Sequence, residues 1–403
     1  MKVLFVHQNC PGQFKHLAPS MAADGHEVLF ITQEGKPTPL GVKKIEYAAH
    51  RKVTPKIHPY LVGTEAAVLN GQAVARIGFA LRSKGYAPDV MIGNPGWGET
   101  LYLKDVWPEV PLISLCEFYY NGTGSDVGFD PEFATGPDAK LRARTRASQH
   151  LLAIEAADHA YCPTKWQRAQ FPRVYQDKIS VIHDGIDTDL IAPNAQAEFT
   201  LPSGQKLTRN DEVLTYVSRN LEPYRGFHSF MRALPGILKS RPNAQVVVVG
   251  GDEVSYGSRP KGGGSWREAM LAEVGTLPAC VHFTGRIPYA DYLALLQISS
   301  VHFYFTYPFV LSWSMLEAMA AGAFVVGSNT PPVAEVIEDG VNGWLVDFFD
   351  TDLIAKTVTA ALKARNQQEM LRAQARQTIV DSYDLKACLA KQRALIETAV
   401  TGN

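Results

Sequence analysis

A chain of 403 residues, 46% hydrophobic and 20% charged, is too long for one ordinary core and has the composition of a folded protein with two domains. Its 39 Lys and Arg against 40 Asp and Glu leave a formal charge of -1, which excludes a dedicated nucleic-acid binder, because phosphate backbones demand a large positive excess. The five cysteines (Cys10, Cys116, Cys162, Cys280, Cys388) are odd in number and far apart, which argues against a disulfide framework or zinc site and makes a reducing cytoplasm the default compartment. No stretch is apolar for long enough to cross a bilayer, so any membrane contact is expected to be peripheral, on the inner face.

In chain order, Val3 to Val6 is a continuous apolar run suited to a buried parallel strand. A polar, turn-rich loop from His7 to Gln13 follows, then a helix over Phe14 to Ala23 ended by Asp24-Gly25, then a strand over Glu27 to Ile31. That is a βαβ unit, which demands a right-handed crossover and a parallel sheet. Short strands recur at Val90-Met91-Ile92, Leu112 to Leu115 and Ile179 to Ile182, separated by helical stretches at Gly63 to Lys84 and Ala139 to Ala157.

Residues 187–211 read as a polar connector, after which a second alternation begins. Glu212 to Val217 is a strand, Phe227 to Lys239 a helix, and Ala244 to Val249 a strand. The Gly-rich segment from Gly250 to Ser265 is expected to be a mobile loop. Val281-His282-Phe283, Val301 to Phe305, Ala323 to Val326 and Trp344-Leu345-Val346 continue the pattern. Two such series imply an α/β protein of two Rossmann-like, doubly wound domains, over residues 1–190 and 205–375, with a C-terminal helix at about 380–403 expected to pack back on the first.

Two segments of the second series carry the chemistry. From Phe303 to Gly322 a buried strand runs through a loop holding Pro308 into a helix that begins near Ser312 and ends at a C′ glycine. Exposed N–H groups at Ser312, Trp313 and Ser314 would form a phosphate site, with Glu317 a turn further in to accept ribose hydroxyls. Alone, Ser312 reads equally well as an ordinary cap and Glu317 as a solvated carboxylate. In the second segment, Arg219 and Arg225 flank a strand-to-helix turn, six residues apart. Forked, permanently charged guanidinium groups suit a diphosphate, and the pair together with the helix start makes a diphosphate site the better explanation.

These residues resemble the retaining glycosyltransferases of family 4, whose two-domain GT-B fold sets two Rossmann-like domains facing each other across a cleft. The resemblance rests on Arg219, Arg225-Gly226 and Glu317-Ala318-Met319-Ala320-Ala321-Gly322, with support from Val181 to Asp187 and Val341-Asn342-Gly343-Trp344-Leu345-Val346. It implies transfer of a sugar, a hexose above all, from a nucleoside-diphosphate sugar to a glycan, lipid, protein or small-molecule acceptor, with retention of configuration, as in polysaccharide or glycoconjugate synthesis. Arg219 and Arg225 would hold the diphosphate and Glu317 the ribose, backbone near Ile287 would meet the base, and Gly12 with Gln13 would lie close to the diphosphate and sugar.

One departure stands out. The family's acidic residue eight positions before Glu317, which contacts the donor sugar, is Phe309 here, and the glycine at the helix start is Ser312. A phenyl ring accepts no hydroxyl hydrogen bond as a carboxylate does. Either the sugar is held differently, the reading favoured here, or the protein is an inactive nucleotide-sugar binder.

On the acceptor side, Asn94, Trp97 and Glu99 follow one strand, and Glu117 and Tyr119 follow another where family members often carry a His. Glu117 is the candidate to face acceptor or transferred sugar. Arg142, Arg144 and Arg146 read as a solvated helix face, and His7, His16 and His58 as packing or loop residues. Asp187-Thr188-Asp189 has the spacing of a metal site of another glycosyltransferase fold but reads as a turn cap, so neither metal nor cofactor is expected. A nicotinamide oxidoreductase is disfavoured because no Gly-x-Gly-x-x-Gly follows either opening strand.

Overall fold

The computed structural model describes residues 1–133 and 135–402. The chain divides into two compact units, Met1–Gly185 together with the segment from Leu385 onward, and Ile186–Asp384.

The first unit is built on seven parallel strands: β1 (Lys2–Val6), β2 (Glu27–Gln33), β3 (Lys43–Tyr47), β4 (Val90–Gly93), β5 (Leu112–Leu115), β6 (His159–Cys162) and β7 (Ile179–Val181). They lie in the order β3-β2-β1-β4-β5-β6-β7. β1 is the central, doubly covered strand its apolar run predicts, with Val3 to Val6 fully buried. Phe5 packs with Phe14 and Phe30 on one face, and Leu4 and Val6 with Leu29 and Met91 on the other. The last helix, Leu385–Thr401, belongs to this unit, where Ile396 and Ala399 join the cluster around Phe5.

The second unit opens with an antiparallel hairpin, β8 (Glu198–Thr200) and β9 (Lys206–Thr208), inside the stretch that reads as connector in the sequence. Its strands are only three residues long, too short for a clear alternation, and they hold because Phe199 and Leu207 are buried with Leu295 and Ile298. Six parallel strands follow: β10 (Val213–Asn220), β11 (Gln245–Gly251), β12 (Val281–Gly285), β13 (Val301–Tyr304), β14 (Val325–Ser328) and β15 (Trp344–Val346), in the order β12-β11-β10-β13-β14-β15.

Both sheets reverse their winding beside the first strand, between β1 and β4 in one unit and between β10 and β13 in the other. Neighbouring connections there leave in opposite directions and open a crevice at the carboxyl ends of the strands, the place where such sheets bind ligands. No helix among the described residues is long and apolar enough to cross a membrane.

Candidate functional site

In the second unit the crevice is built by the loops after β10 and β13. Arg219 is the penultimate residue of β10, and a short 3-10 turn at Pro223–Arg225 carries Arg225 into the helix Phe227–Ser240. Gly226 joins turn to helix at φ 67°, and a Cβ there would come within 2.3 Å of the Phe305 Cβ, so only glycine lets the two loops approach this closely. Between them lies a cavity of about 90 Å³ whose lining includes Arg219, Asn220, Arg225, Tyr256, Ser312 and Ser314. Residues that the sequence places far apart thus converge.

The two arginines differ in environment. Arg219 is exposed at the rim, with no hydrogen bond or ion pair among the described residues, so its guanidinium is available to a ligand. Arg225 is buried. Its Nη1 donates towards Thr306 Oγ1 (2.9 Å), the Val310 carbonyl (3.0 Å) and the Tyr304 hydroxyl (3.3 Å), and its guanidinium carbon lies 5.1 Å from the centre of the Tyr256 ring. The sequence reading made both arginines equivalent; the structure makes Arg225 an internal organiser as well as a wall of the cavity.

The helix Trp313–Ala320 starts at Ser312, whose hydroxyl accepts from the Ser314 N–H (3.3 Å), while the Ser312 N–H donates to the Tyr304 hydroxyl (2.8 Å). The expectation of exposed N–H groups at Ser312 and Ser314 is therefore corrected: both are already served within the protein, and what these residues present to the cavity is hydroxyl. Trp313 is partly buried against the core rather than displayed.

Glu317 is buried, and both its oxygens are occupied: Tyr289 donates to Oε1 (2.9 Å) and Tyr292 to Oε2 (2.6 Å). It is not the solvated carboxylate that the sequence left open. Burial and the adjacent carboxylate push both phenols above their ordinary range. Ile287 lies in the turn between β12 and the helix Tyr289–Ile298, its side chain against the core. Phe309 is half-buried, edge-on to Tyr224 (5.5 Å between centroids) and 5.0 Å from Tyr256, so the position that resemblance assigns to an acid belongs to an aromatic cluster around Arg225.

In the first unit the loops after β1, β4 and β5 meet at the carboxyl end of the sheet. Gln13 Nε2 donates to Glu117 Oε1 (2.6 Å) and Asn94 Nδ2 to Glu117 Oε2 (3.1 Å), so two neutral amides hold a partly exposed carboxylate in place. Behind Gln13 stands His7, which the sequence assigned to packing. It is buried, its Nδ1 accepts from the Asn9 N–H (2.8 Å), and its Nε2 is 2.6 Å from Gln13 Oε1, an arrangement satisfied when Nε2 carries the proton. Burial pulls its pKa down to about 4, which keeps the ring neutral. Gly12 has φ 55°, and a Cβ there would strike the His7 ring at 2.7 Å, so the need for glycine is already explained inside the protein.

Three acceptor-side expectations are corrected. Asn94 is buried, its Nδ2 donating to Glu117 and its Oδ1 accepting from the Gly96 N–H (2.9 Å), so it braces Glu117 from behind. Glu99 is fully buried and accepts from the Tyr47 hydroxyl, and Tyr119 is buried against Phe171, so neither is presented to a ligand. Burial raises the Glu99 carboxyl to about 7. Trp97 remains at the crevice, half-buried, with its ring 5.1 Å from that of His7. Arg142, Arg144 and Arg146 are exposed, two of them resting on tyrosine rings. Asp187 caps a turn through the Leu190 N–H (3.0 Å). Sequence reasoning missed Asn220, Glu222, Tyr256 and the Tyr289/Tyr292 pair. Only the last left a trace, as two tyrosines three apart on a helix.

Comparison with known proteins bears on this arrangement. Residues 24–191 match the model of the glycosyl transferase family 4 group, and residues 201–378 that of glycosyl transferases group 1. The phosphatidyl-myo-inositol mannosyltransferase of Mycobacterium leprae is 26% identical over 52% of this chain and 53% of its own length. The GDP-mannose-dependent alpha-(1-6)-phosphatidylinositol monomannoside mannosyltransferase of Mycolicibacterium smegmatis is 24% identical over 60% of this chain and 62% of its own. The chain thus spans between half and two thirds of the length of these curated relatives. Among solved structures, the sucrose-phosphate synthase of Thermosynechococcus elongatus superposes over 100% of both chains with a TM-score of 0.75 at 18% identity. Anabaena HepE in complex with UDP-glucose does so over 99% of this chain and 100% of its own, with a TM-score of 0.68 at 16% identity. At such identities these two speak for the fold alone.

Proposed function

Because the chain belongs to the family 4 glycosyl transferases, with its second half in group 1, we propose that it transfers a hexose from a nucleoside-diphosphate sugar to an acceptor, with retention of anomeric configuration, in glycan or glycolipid assembly. The observation that carries this reading is the cavity at the β10/β13 crevice, where Arg219, Arg225 and the hydroxyls of Ser312 and Ser314 converge from separate segments.

As the bond between the anomeric carbon and the diphosphate oxygen breaks, negative charge collects on the departing phosphate and the sugar becomes oxocarbenium-like. Arg219, uncommitted and at the rim, meets that charge, and Arg225 and the serine hydroxyls meet it from within. The two guanidinium groups, Arg225 held within the protein and Arg219 at the rim, supply the positive charge, so the reaction proceeds without a metal ion. Glu317 binds the ribose after giving up one tyrosine, and backbone near Ile287 meets the base. On the first unit, Glu117 and Trp97 form the surface that meets the acceptor, with Gln13 and Asn94 fixing the carboxylate. The donor sugar packs on the Phe309 ring where family members place a carboxylate. The names of the relatives, one of which specifies GDP-mannose and phosphatidylinositol, favour a lipid-linked or glycan acceptor.

The test is turnover. The purified protein is incubated with UDP-, GDP- and ADP-hexoses and a panel of glycan, lipid and small-molecule acceptors in EDTA, and the product's anomeric configuration is read by NMR. Retained product from one donor class is expected. Binding of a nucleotide sugar without turnover on any acceptor would leave the inactive binder as the correct reading.

A further inference from the structure

The Gly-rich segment after β11, which reads as a mobile loop in the sequence, is tied down at its middle. Glu222 is fully buried, and its carboxylate accepts three consecutive backbone N–H groups of that loop: Ser255 on Oε1 (3.1 Å), and Tyr256 (3.1 Å) and Gly257 (2.9 Å) on Oε2. Asn220 adds a bond from Nδ2 to the Ser255 hydroxyl (2.8 Å). A buried carboxylate is costly unless its lone pairs are served, and three charge-assisted bonds to one short backbone run serve them. The run has no regular secondary structure of its own, so these bonds set its conformation. They place the Tyr256 ring 5.1 Å from the Arg225 guanidinium and 5.0 Å from Phe309, as one wall of the cavity.

We propose that Glu222 is a positioning residue for the donor pocket: it clamps the 255–257 run so that Tyr256 is held against Arg225, and through Tyr256 it sets the affinity for the nucleoside diphosphate. This rests on the donor-site reading given above. Glu222 touches no ligand; its effect passes through the loop. Glu222→Gln keeps the volume but puts an amide donor where backbone donors converge, so it breaks the clamp without opening a void.

The experiment is a double-mutant cycle on the full chain, titrating UDP, GDP and ADP calorimetrically into wild type, Glu222→Gln, Tyr256→Ala and the double variant. Each single change is expected to weaken binding of the preferred nucleotide about tenfold, and the double variant no further than either alone, because both remove the same wall. Glu222→Asp, which keeps the charge but shortens the reach, is expected to recover part of the affinity. Should Glu222→Gln fail to fold, Glu222→Asp takes its place in the cycle, with a smaller loss that vanishes in the Tyr256→Ala background. Losses that multiply, to about a hundredfold in the double variant, overturn the proposal, because Glu222 then acts by another route. So does a Glu222→Gln variant that binds like wild type. If wild type binds none of the three nucleotides, the donor-site reading itself fails, and the role of Glu222 in it falls too.

Discussion

The hydroxyl of Tyr292 donates to Oε2 of Glu317 at 2.6 Å, and that of Tyr289 to Oε1 at 2.9 Å, so each oxygen of this carboxylate has a partner within the protein. In the function proposed above, a ribose hydroxyl competes with these two phenols for Glu317. Tyr292 is buried, whereas Tyr289 is 47% exposed, so Tyr289 is the competitor to remove.

The first prediction concerns that exchange. Tyr289→Phe removes the competitor and should tighten nucleoside-diphosphate binding by up to the worth of one hydrogen bond to a charged acceptor, roughly 1.5–3 kcal/mol. Glu317→Gln should weaken it by a similar amount. Calorimetric titration of the two variants checks both signs. A Tyr289→Phe variant that binds more weakly would mean that the phenol contacts the ligand instead.

The two arginines should part company under conservative substitution. Arg219 is exposed, so Arg219→Lys should leave the unfolding free energy unchanged within about 0.5 kcal/mol while weakening nucleotide binding. Arg225 is buried among three oxygen acceptors and an aromatic ring, a fork that lysine cannot reproduce, and Arg225→Lys should cost about 1–3 kcal/mol of stability. Urea unfolding of both variants decides it.

Gly226→Ala should be among the most damaging single changes in the second unit. It combines a left-handed backbone with a contact no side chain relieves, since the obstacle is the Cβ of Phe305. A loss of about 2 kcal/mol or more is expected, measured by denaturant unfolding.

Stability should also depend on pH through Glu99 on one side and four buried histidines on the other. The Glu99 carboxyl is raised by burial from 4.5 to about 7, so the folded state binds a proton that the unfolded state has released. Its contribution is complete below about pH 4.5, and stability falls as pH rises from there to about 7, a change of roughly 3 kcal/mol. Glu99→Gln should flatten that fall. His7, His150 and His183 are lowered by burial to about 4, and His302 to about 3. Their contribution is present above about pH 6.5 and is lost as pH falls towards 4, because the unfolded chain takes up the protons first. Unfolding free energies at pH 5, 6.5 and 8 in wild type and Glu99→Gln separate the two.

Much of the architecture was legible because the strands are buried on both faces and therefore read as apolar runs: Val3 to Val6 and Val246 to Val249 needed no context. Ser312 as a cap and Gly322 at φ 83° as a helix stop were equally local signals. What could not be read was pairing at a distance. Nothing in Gly98-Glu99-Thr100 announces that Glu99 turns inward to Tyr47, and nothing in Leu221-Glu222-Pro223 announces that Glu222 will hold a loop some thirty residues on. Arg219 and Arg225 were found by spacing, but their division of labour depends on burial, which tertiary packing decides.

The central claim is that a nucleoside diphosphate sits at the β10/β13 crevice with Arg219 on its phosphates. The most direct measurement is calorimetric titration of UDP, GDP and ADP into wild type and Arg219→Ala. Because Arg219 is exposed and carries no structural bond among the described residues, the variant should fold normally. The account predicts that one nucleotide binds wild type and binds Arg219→Ala at least tenfold more weakly, the worth of one charge-assisted contact. Equal affinity for the two proteins would contradict it, and would move the phosphates away from this crevice.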